Sequence, residues 1–279
     1  MAVRIFTDST CDIPAEEAAR MGLHVVPLTV LFEDGEFLDG VDISCEEFYR
    51  RLRGAEKLPK TSQIPPQHFA EAFAPYIAQG DEIVGIFISA EVSGTYQSAC
   101  AAKEALGYEK LYPVDSRSAT MSLALLVRAA CRMRDSGMGA AEIVEEIKRL
   151  TKKVRFYAAV DTLKYLKMGG RISSATAVIG GLLGIKPIVS MQNGVVKSVD
   201  KAKGHAAAVR KLIGYLKQEH PDLTYGLVLA HADAPLLLEE LREKLTEMLS
   251  LSDAMEIQVG PAIGVYAGPG CVGLSYIAQ

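Results

Sequence analysis

The chain contains no C-x-x-C pair, no block of basic residues, no apolar run of membrane-spanning length and no recognisable catalytic signature, and each absence removes a class of function. Its five cysteines, Cys11, Cys45, Cys100, Cys131 and Cys271, are odd in number and far apart. That argues against a disulfide framework or a zinc cluster, and for a reducing cytoplasm. Lys and Arg are scattered and the formal net charge is -4, which leaves no electrostatic footprint for nucleic acid or an anionic membrane. The longest aliphatic and glycine stretch, Ala177 to Ile185, is far short of the roughly 20 residues of a membrane-spanning helix. Met1 to Phe6 reaches Asp8 before a signal-peptide core can form, so secretion is not expected.

Catalytic patterns are missing as well. No G-x-S-x-G elbow is present, and the histidines His24, His68, His205, His220 and His231 show no H-x-x-x-H or H-E-x-x-H spacing. Gly268-Pro269-Gly270-Cys271-Val272-Gly273 matches G-x-G-x-x-G, but only Leu274 to Gln279 follow it. The helix, second strand and ribose-binding acid of a dinucleotide site have no room, so NAD binding through this segment is excluded. No cofactor and no metal are expected.

What is present is an ordinary folded composition, 49% hydrophobic and 23% charged over 279 residues, long enough for two domains sharing a cleft. Val3 to Phe6 reads as a buried strand, with a helix opening at Pro14. His24 to Phe32 and Glu36 to Leu38 read as extended around Asp34-Gly35. A helix near Glu46 to Arg53 precedes a Pro-punctuated loop from Pro59 to Pro66. A helix to about Gln79, a strand from Glu82 to Ser89, a helix from Ser93-Gly94-Thr95 to about Leu106 and a strand from Leu111 to Val114 continue the alternation. Asp115-Ser116 is expected to cap the next helix. Strand-helix alternation argues a mostly parallel α/β sheet over residues 1–153.

From Val154 the pattern changes to a mixed α/β arrangement over 154–279, with an Asn193-Gly194 hairpin and short helices near Leu163 and Ala175. The closing strands fall at Met255 to Val259, Ala262 to Tyr266 and Val272 to Ile277. The expected fold is therefore α/β with two domains and the ligand cleft between them.

Ser93 reads as a helix N-cap, and the same helix start offers N–H groups, hydroxyls and a positive dipole end to an anion. Thr61-Ser62, in the Pro-bracketed loop, reads equally as turn chemistry or as a second hydroxyl pair converging on that anion. Arg171 follows the Gly169-Gly170 pair, where a surface guanidinium is the ordinary expectation. Ala175 to Ile188 is Gly-rich and aliphatic, which suits core packing and would also suit a smooth wall for an alkyl chain.

Thr7-Asp8-Ser9-Thr10-Cys11-Asp12, Lys60-Thr61-Ser62-Gln63, Ser93-Gly94-Thr95-Tyr96-Gln97-Ser98-Ala99, Asp115-Ser116-Arg117, Gly169-Gly170-Arg171-Ile172-Ser173 and Gly268-Pro269-Gly270 fall in one order along the chain. In that order they resemble the DegV family over essentially the whole length. The resemblance implies a bacterial two-domain protein that holds a long-chain fatty acid such as palmitate, carboxylate in the cleft and tail in the second domain, with no turnover of its own. It further implies a fatty acid kinase as partner. Carried onto this sequence, Thr61, Ser62, Ser93 and Gly94 resemble the carboxylate donors, and Gly268 belongs to the turn beside them. Arg171 and Lys203 resemble residues that dock the kinase. Relatives often place His where this chain has Tyr266 and Arg where it has Lys203, so a neutral phenol stands in for an imidazole and a point charge for a bidentate fork. The rival reading is an ester hydrolase with Ser93 as nucleophile. Burying about 14 methylenes at about 0.8 kcal/mol each is worth about 11 kcal/mol gross, so hydrogen bonds to the carboxylate chiefly orient the ligand.

Overall fold

The computed structural model describes residues 2–172, 184–249, 251 and 253–279. The expected short helix near Ala175, Ser173 of the Gly-Gly-Arg segment and most of the smooth wall over 175–188 lie outside them.

The N-terminal half alternates β1 (Val3–Asp8), α1 (Ala15–Arg20), β2 (Leu23–Val26), β3 (Thr29–Phe32), β4 (Gly35–Leu38), α2 (Cys45–Gly54), β5 (Lys60–Ser62), α3 (Pro66–Ala78), β6 (Glu82–Phe87), α4 (Thr95–Leu106) and β7 (Leu111–Asp115). Four of these strands form a parallel sheet in the order β2-β1-β6-β7. β6 is buried along nearly its whole length, as expected of a strand covered on both faces. The remaining three make a small antiparallel sheet, β4-β3-β5, with Val30 opposite Thr61 and Thr29 opposite Ser62. The Asp34-Gly35 hairpin is therefore as expected. The Pro59 to Pro66 loop is not wholly a loop, because Lys60–Ser62 finds the free edge of β3 between its flanking prolines.

Two helices, α5 (Thr120–Asp135) and α6 (Ala140–Thr151), lead into β8 (Val154–Ala159), α7 (Lys164–Met168), β9 (Ile185–Gln192), β10 (Val195–Lys203), α8 (His205–Gln218), β11 (Leu227–Ala232), α9 (Pro235–Thr246), β12 (Ala254–Gln258), α10 (Pro261–Ala267) and β13 (Cys271–Ile277). Their strands form one mixed sheet, β10-β9-β8-β13-β11-β12. Tyr157, Ile188, Leu229 and Leu274 on one face pack with Leu212 of α8 and Leu241 of α9. The other face looks toward α5, which is buried along most of its length and joins the two sheets. Its Ser122 hydroxyl meets the Ser275 hydroxyl of β13 at 2.9 Å.

Three local expectations are corrected. Ala262 to Tyr266 is helix, not strand: Gly260 is the N-cap and Pro261 the first helical residue, a favoured start, and a five-residue apolar run carries no periodicity to distinguish the two. Asp115-Ser116 caps no helix. The Asp115 carboxylate instead accepts the Arg117 and Ala90 N–H groups at 2.8 and 3.2 Å, and α5 starts four residues later with Ala119 as its N-cap. The N-cap of α4 is Gly94, while Ser93 lies one residue earlier and accepts the Thr95 N–H at 3.3 Å.

Candidate functional site

Side chains of extended chain alternate between faces, so Thr61 in β5 and Gln63 just past its end point one way and Ser62 the other. Thr61 Oγ1 meets Tyr266 Oη at 2.6 Å. Gln63 Nε2 donates to Ser98 Oγ at 2.9 Å, and its carboxamide lies so close over Gly94 that any Cβ there would collide with it. Ser62 is exposed, its hydroxyl 3.3 Å from the Gln63 carbonyl. The first turn of α4 adds Ser93, whose Oγ is 3.0 Å from Thr95 Oγ1.

α10 supplies Tyr266 from its last turn. The ring packs directly on Gly169, where a Cβ would collide with it, and carries the Arg171 guanidinium 4.7 Å from its centroid. Arg171 also donates to the Gly169 and Val92 carbonyls at 2.7 and 3.4 Å. A guanidinium stacked and doubly anchored in this way is a fixed cation, not a loose surface charge.

These groups surround one cavity of about 210 Å³, against the roughly 10–15 Å³ that a single water needs. Thr61, Gln63, Ser93, Gly94, Arg171 and Tyr266 all line it, and all are half-buried or exposed, which makes them its polar end. Apart from the buried Thr10 and Thr120 the rest is apolar, with Phe156, Ala158 and Val160 from β8 and the residue after it, Val189 from β9, Ala230 from β11 and Ile263 from α10 among it. The structure thus brings together Thr61, Ser93, Gly94, Tyr266 and Arg171. It does not bring Ser62, Gly268 or Lys203 to the cavity wall. Gly268 takes φ +68°, with the Tyr165 ring where a Cβ would stand, so glycine is needed there to turn the chain after α10. Lys203 is exposed at the end of β10.

Several wall residues escaped the sequence reading. Gln63 is two residues from Thr61, and period-2 alternation exposes it once Lys60–Ser62 is known to be a strand. Thr10 and Thr120 follow β1 and β7, at the carboxyl edge of the parallel sheet where such folds place ligands. Thr120 is only 4% exposed, has φ +46° and leaves its hydroxyl without a hydrogen-bond partner among the described residues. A β-branched residue in that region costs of order 1–3 kcal/mol.

Behind this edge stand three buried carboxyls. Burial pushes Asp8 up to about 6, against hydrogen bonds from the Thr10 hydroxyl, the Ile88 N–H at 2.7 Å and the Thr10 N–H at 3.0 Å. Burial likewise raises Asp39 to about 6 and Asp12 well above the usual carboxylate range, with Asp39 adding like-charge repulsion on Asp12. Among the described residues, no group of three or more His, Cys, Asp or Glu side chains is placed to hold a metal ion. No helix there is long and apolar enough to cross a membrane.

A parallel sheet and a mixed sheet flanking a cavity with a polar and an apolar part define a two-domain α/β protein with an amphipathic internal cavity. The model of the family described as "Uncharacterised protein, DegV family" matches residues 2–279, and the chain belongs to the DegV family. A DegV domain-containing protein of Caldanaerobacter subterraneus is 36% identical over 275 residues, 98% of each chain. Among solved structures, a DegV family protein from Thermus thermophilus described by its fatty acid binding superposes with a TM-score of 0.92 at 27% identity over 100% of both chains. A DegV family protein from Eubacterium eligens loaded with heptadecanoic acid gives 0.88 at 25% identity, again over 100% of both.

Proposed function

We propose that the protein binds a long-chain fatty acid, carboxylate at the polar end of the cavity and tail against the mixed sheet, and presents it to a partner such as a fatty acid kinase. The observation that carries this reading is the polarity of this cavity: hydroxyls of Thr61, Ser93 and Tyr266 and the Arg171 guanidinium at one end, aliphatic walls beyond. Fatty acids held by solved relatives of the same fold support it. Neutral donors and one anchored cation satisfy a carboxylate, and tail burial supplies most of the affinity. The division of labour follows a boundary at 153/154, the first half giving most of the hydroxyls and the second most of the apolar wall. Arg171 belongs at once to the cavity and to its half-buried rim, so it serves the headgroup as well as a docking kinase. Lys203, away from the cavity, serves docking alone. Five free thiols favour the cytoplasm as the compartment.

The hydrolase reading fares worse. A serine nucleophile needs a base within hydrogen-bond reach, yet Ser93 Oγ meets Thr95 Oγ1 and no histidine lines the cavity among the described residues. Denaturing extraction of the purified protein followed by mass spectrometry separates the two. A stoichiometric fatty acid is expected. An empty protein that hydrolyses acyl esters, and stops doing so on Ser93→Ala, would reverse the assignment.

A further inference from the structure

Asp12 touches no part of the cavity, yet two segments that frame it converge on its carboxyl. One oxygen accepts the Gly260 N–H at 2.9 Å across 248 residues of sequence. Gly260 is the N-cap of α10, and a Cβ there would stand 2.9 Å from the same oxygen and 3.3 Å from Asp39, so the close approach needs glycine. The other oxygen lies on the side of Thr120, and neither that oxygen nor the Thr120 hydroxyl has a hydrogen-bond partner among the described residues. Thr120, Ala262, Ile263 and Tyr266 are all wall residues.

α10 is a rigid seven-residue rod, roughly 10 Å long, and fixing its first turn fixes its last. Tyr49 assists by donating to the Val259 carbonyl at 2.9 Å, and Gly264 lets Phe48 and Tyr49 pack where a side chain would stand. At the far end Tyr266 meets Thr61.

We propose that Asp12 is a positioning residue for the ligand site, setting α10 against the N-terminal half and so placing Tyr266 beside Thr61. This rests on the lipid reading above. Burial holds the carboxyl far above the usual carboxylate range, with Asp39 and Asp8 adding like-charge repulsion, which suits a neutral acid. In that form one oxygen accepts from Gly260 and the other carries the proton on the side of Thr120. Asparagine reproduces the pattern, its oxygen accepting and its amide donating.

The test is a double-mutant cycle read as affinity for a fluorescent fatty acid. Asp12→Ala is expected to weaken binding a few-fold in the parent, no more than the Tyr266 hydroxyl itself contributes, and to leave it nearly unchanged in a Tyr266→Phe background. Asp12→Asn should recover most of the loss. Gly260→Ala, which keeps the Asp12 side chain but crowds its carboxyl away from the start of α10, should show the same dependence on Tyr266 and keeps the test usable if Asp12→Ala does not fold. Equal losses with and without the Tyr266 hydroxyl would reduce Asp12 to general stability and overturn the proposal, as would Asn behaving like Ala. A parent protein that binds no fatty acid at all would instead sink the lipid reading, and the role of Asp12 in it.

Discussion

The two sides of the cavity are built by different rules. On the N-terminal side it meets the carboxyl edge of a parallel sheet, where Thr10, Ser93 and Thr120 follow β1, β6 and β7 and carboxyls stand behind them. On the C-terminal side it meets the face of a mixed sheet, and Phe156, Ala158, Val189 and Ala230 are what that face presents. Strands that run parallel end together in turns, and turns leave hydroxyls and N–H groups at one edge. A sheet face offers only every second side chain, here aliphatic. Polar and apolar parts of the wall are thereby sorted by secondary structure, with α10 the exception that carries a hydroxyl from the C-terminal half to the polar end.

The comparison breaks most visibly if the apolar side is filled. Ala230 is 1% exposed and lines the cavity from β11. Ala230→Phe is expected to displace about four methylenes at about 0.8 kcal/mol each, so palmitate should bind about a hundredfold more weakly and decanoate almost as before. Competition titrations with the two acids check this, and equal losses for both would place the tail elsewhere.

The polar side is tested through its buried carboxyls. Asp39 is 4% exposed, and burial raises it to about 6 against the Ser9 hydroxyl and the Ala262 N–H. A group raised in the folded state favours folding below its unfolded value of about 3.9, and that contribution is lost as pH rises through about 6. Asp39→Asn should therefore gain about 2 kcal/mol over the parent at pH 8 relative to pH 4.5. Urea unfolding at both values reads the difference, and parallel pH slopes for the two proteins would contradict it.

Thr61 and Tyr266 sharpen the account of the exception. One of the two hydroxyls spends its proton on the other at 2.6 Å, so the pair offers one free proton to a carboxylate. Either single change, Thr61→Val or Tyr266→Phe, leaves one hydroxyl still able to donate, and each should cost only a few-fold. The double variant loses the donor and should cost tens of fold, with a coupling of about 1 kcal/mol. Strict additivity would mean that the hydroxyls act on the ligand separately.

Much of this was legible in the sequence because local chemistry and global position agree at those points. The N-terminal strand and helix order and the Asn193-Gly194 hairpin follow from periodicity and turn residues, and Thr61, Ser93 and Gly94 do meet at the cavity wall. What failed has a common cause. Lys60–Ser62 is a strand only because β3 has a free edge, and Ala262–Tyr266 is a helix through Gly260 and Pro261 in a tertiary setting that propensity does not encode. Missing β5 hid the alternation that separates Thr61 and Gln63 from Ser62. Asp12 and Thr120 lay beyond reach altogether, since their relation to Gly260 and to the cavity exists only after some 140 to 250 residues have folded back.

Ser62 carries the smallest expected effect and tests the register on which the polar end depends. In β5 it pairs with Thr29 while Thr61 pairs with Val30, and a slip of one residue would exchange the two hydroxyls between cavity and solvent. Both are small hydroxyl residues, so composition gives no preference, and the motif alone treats them as equivalent. Neighbours decide it: Ile64 is 1% exposed, and Gln63 reaches Ser98 on α4, which anchors the segment with Thr61 toward Tyr266. Ser62 then faces solvent, its hydroxyl 3.3 Å from the adjacent Gln63 carbonyl. Ser62→Ala should change fatty acid affinity by less than about twofold and stability by less than about 0.5 kcal/mol, the range of an ordinary surface substitution. Ser62→Ala weakening binding tenfold, with Thr61→Val silent, would establish the slipped register and remove Thr61 from the site.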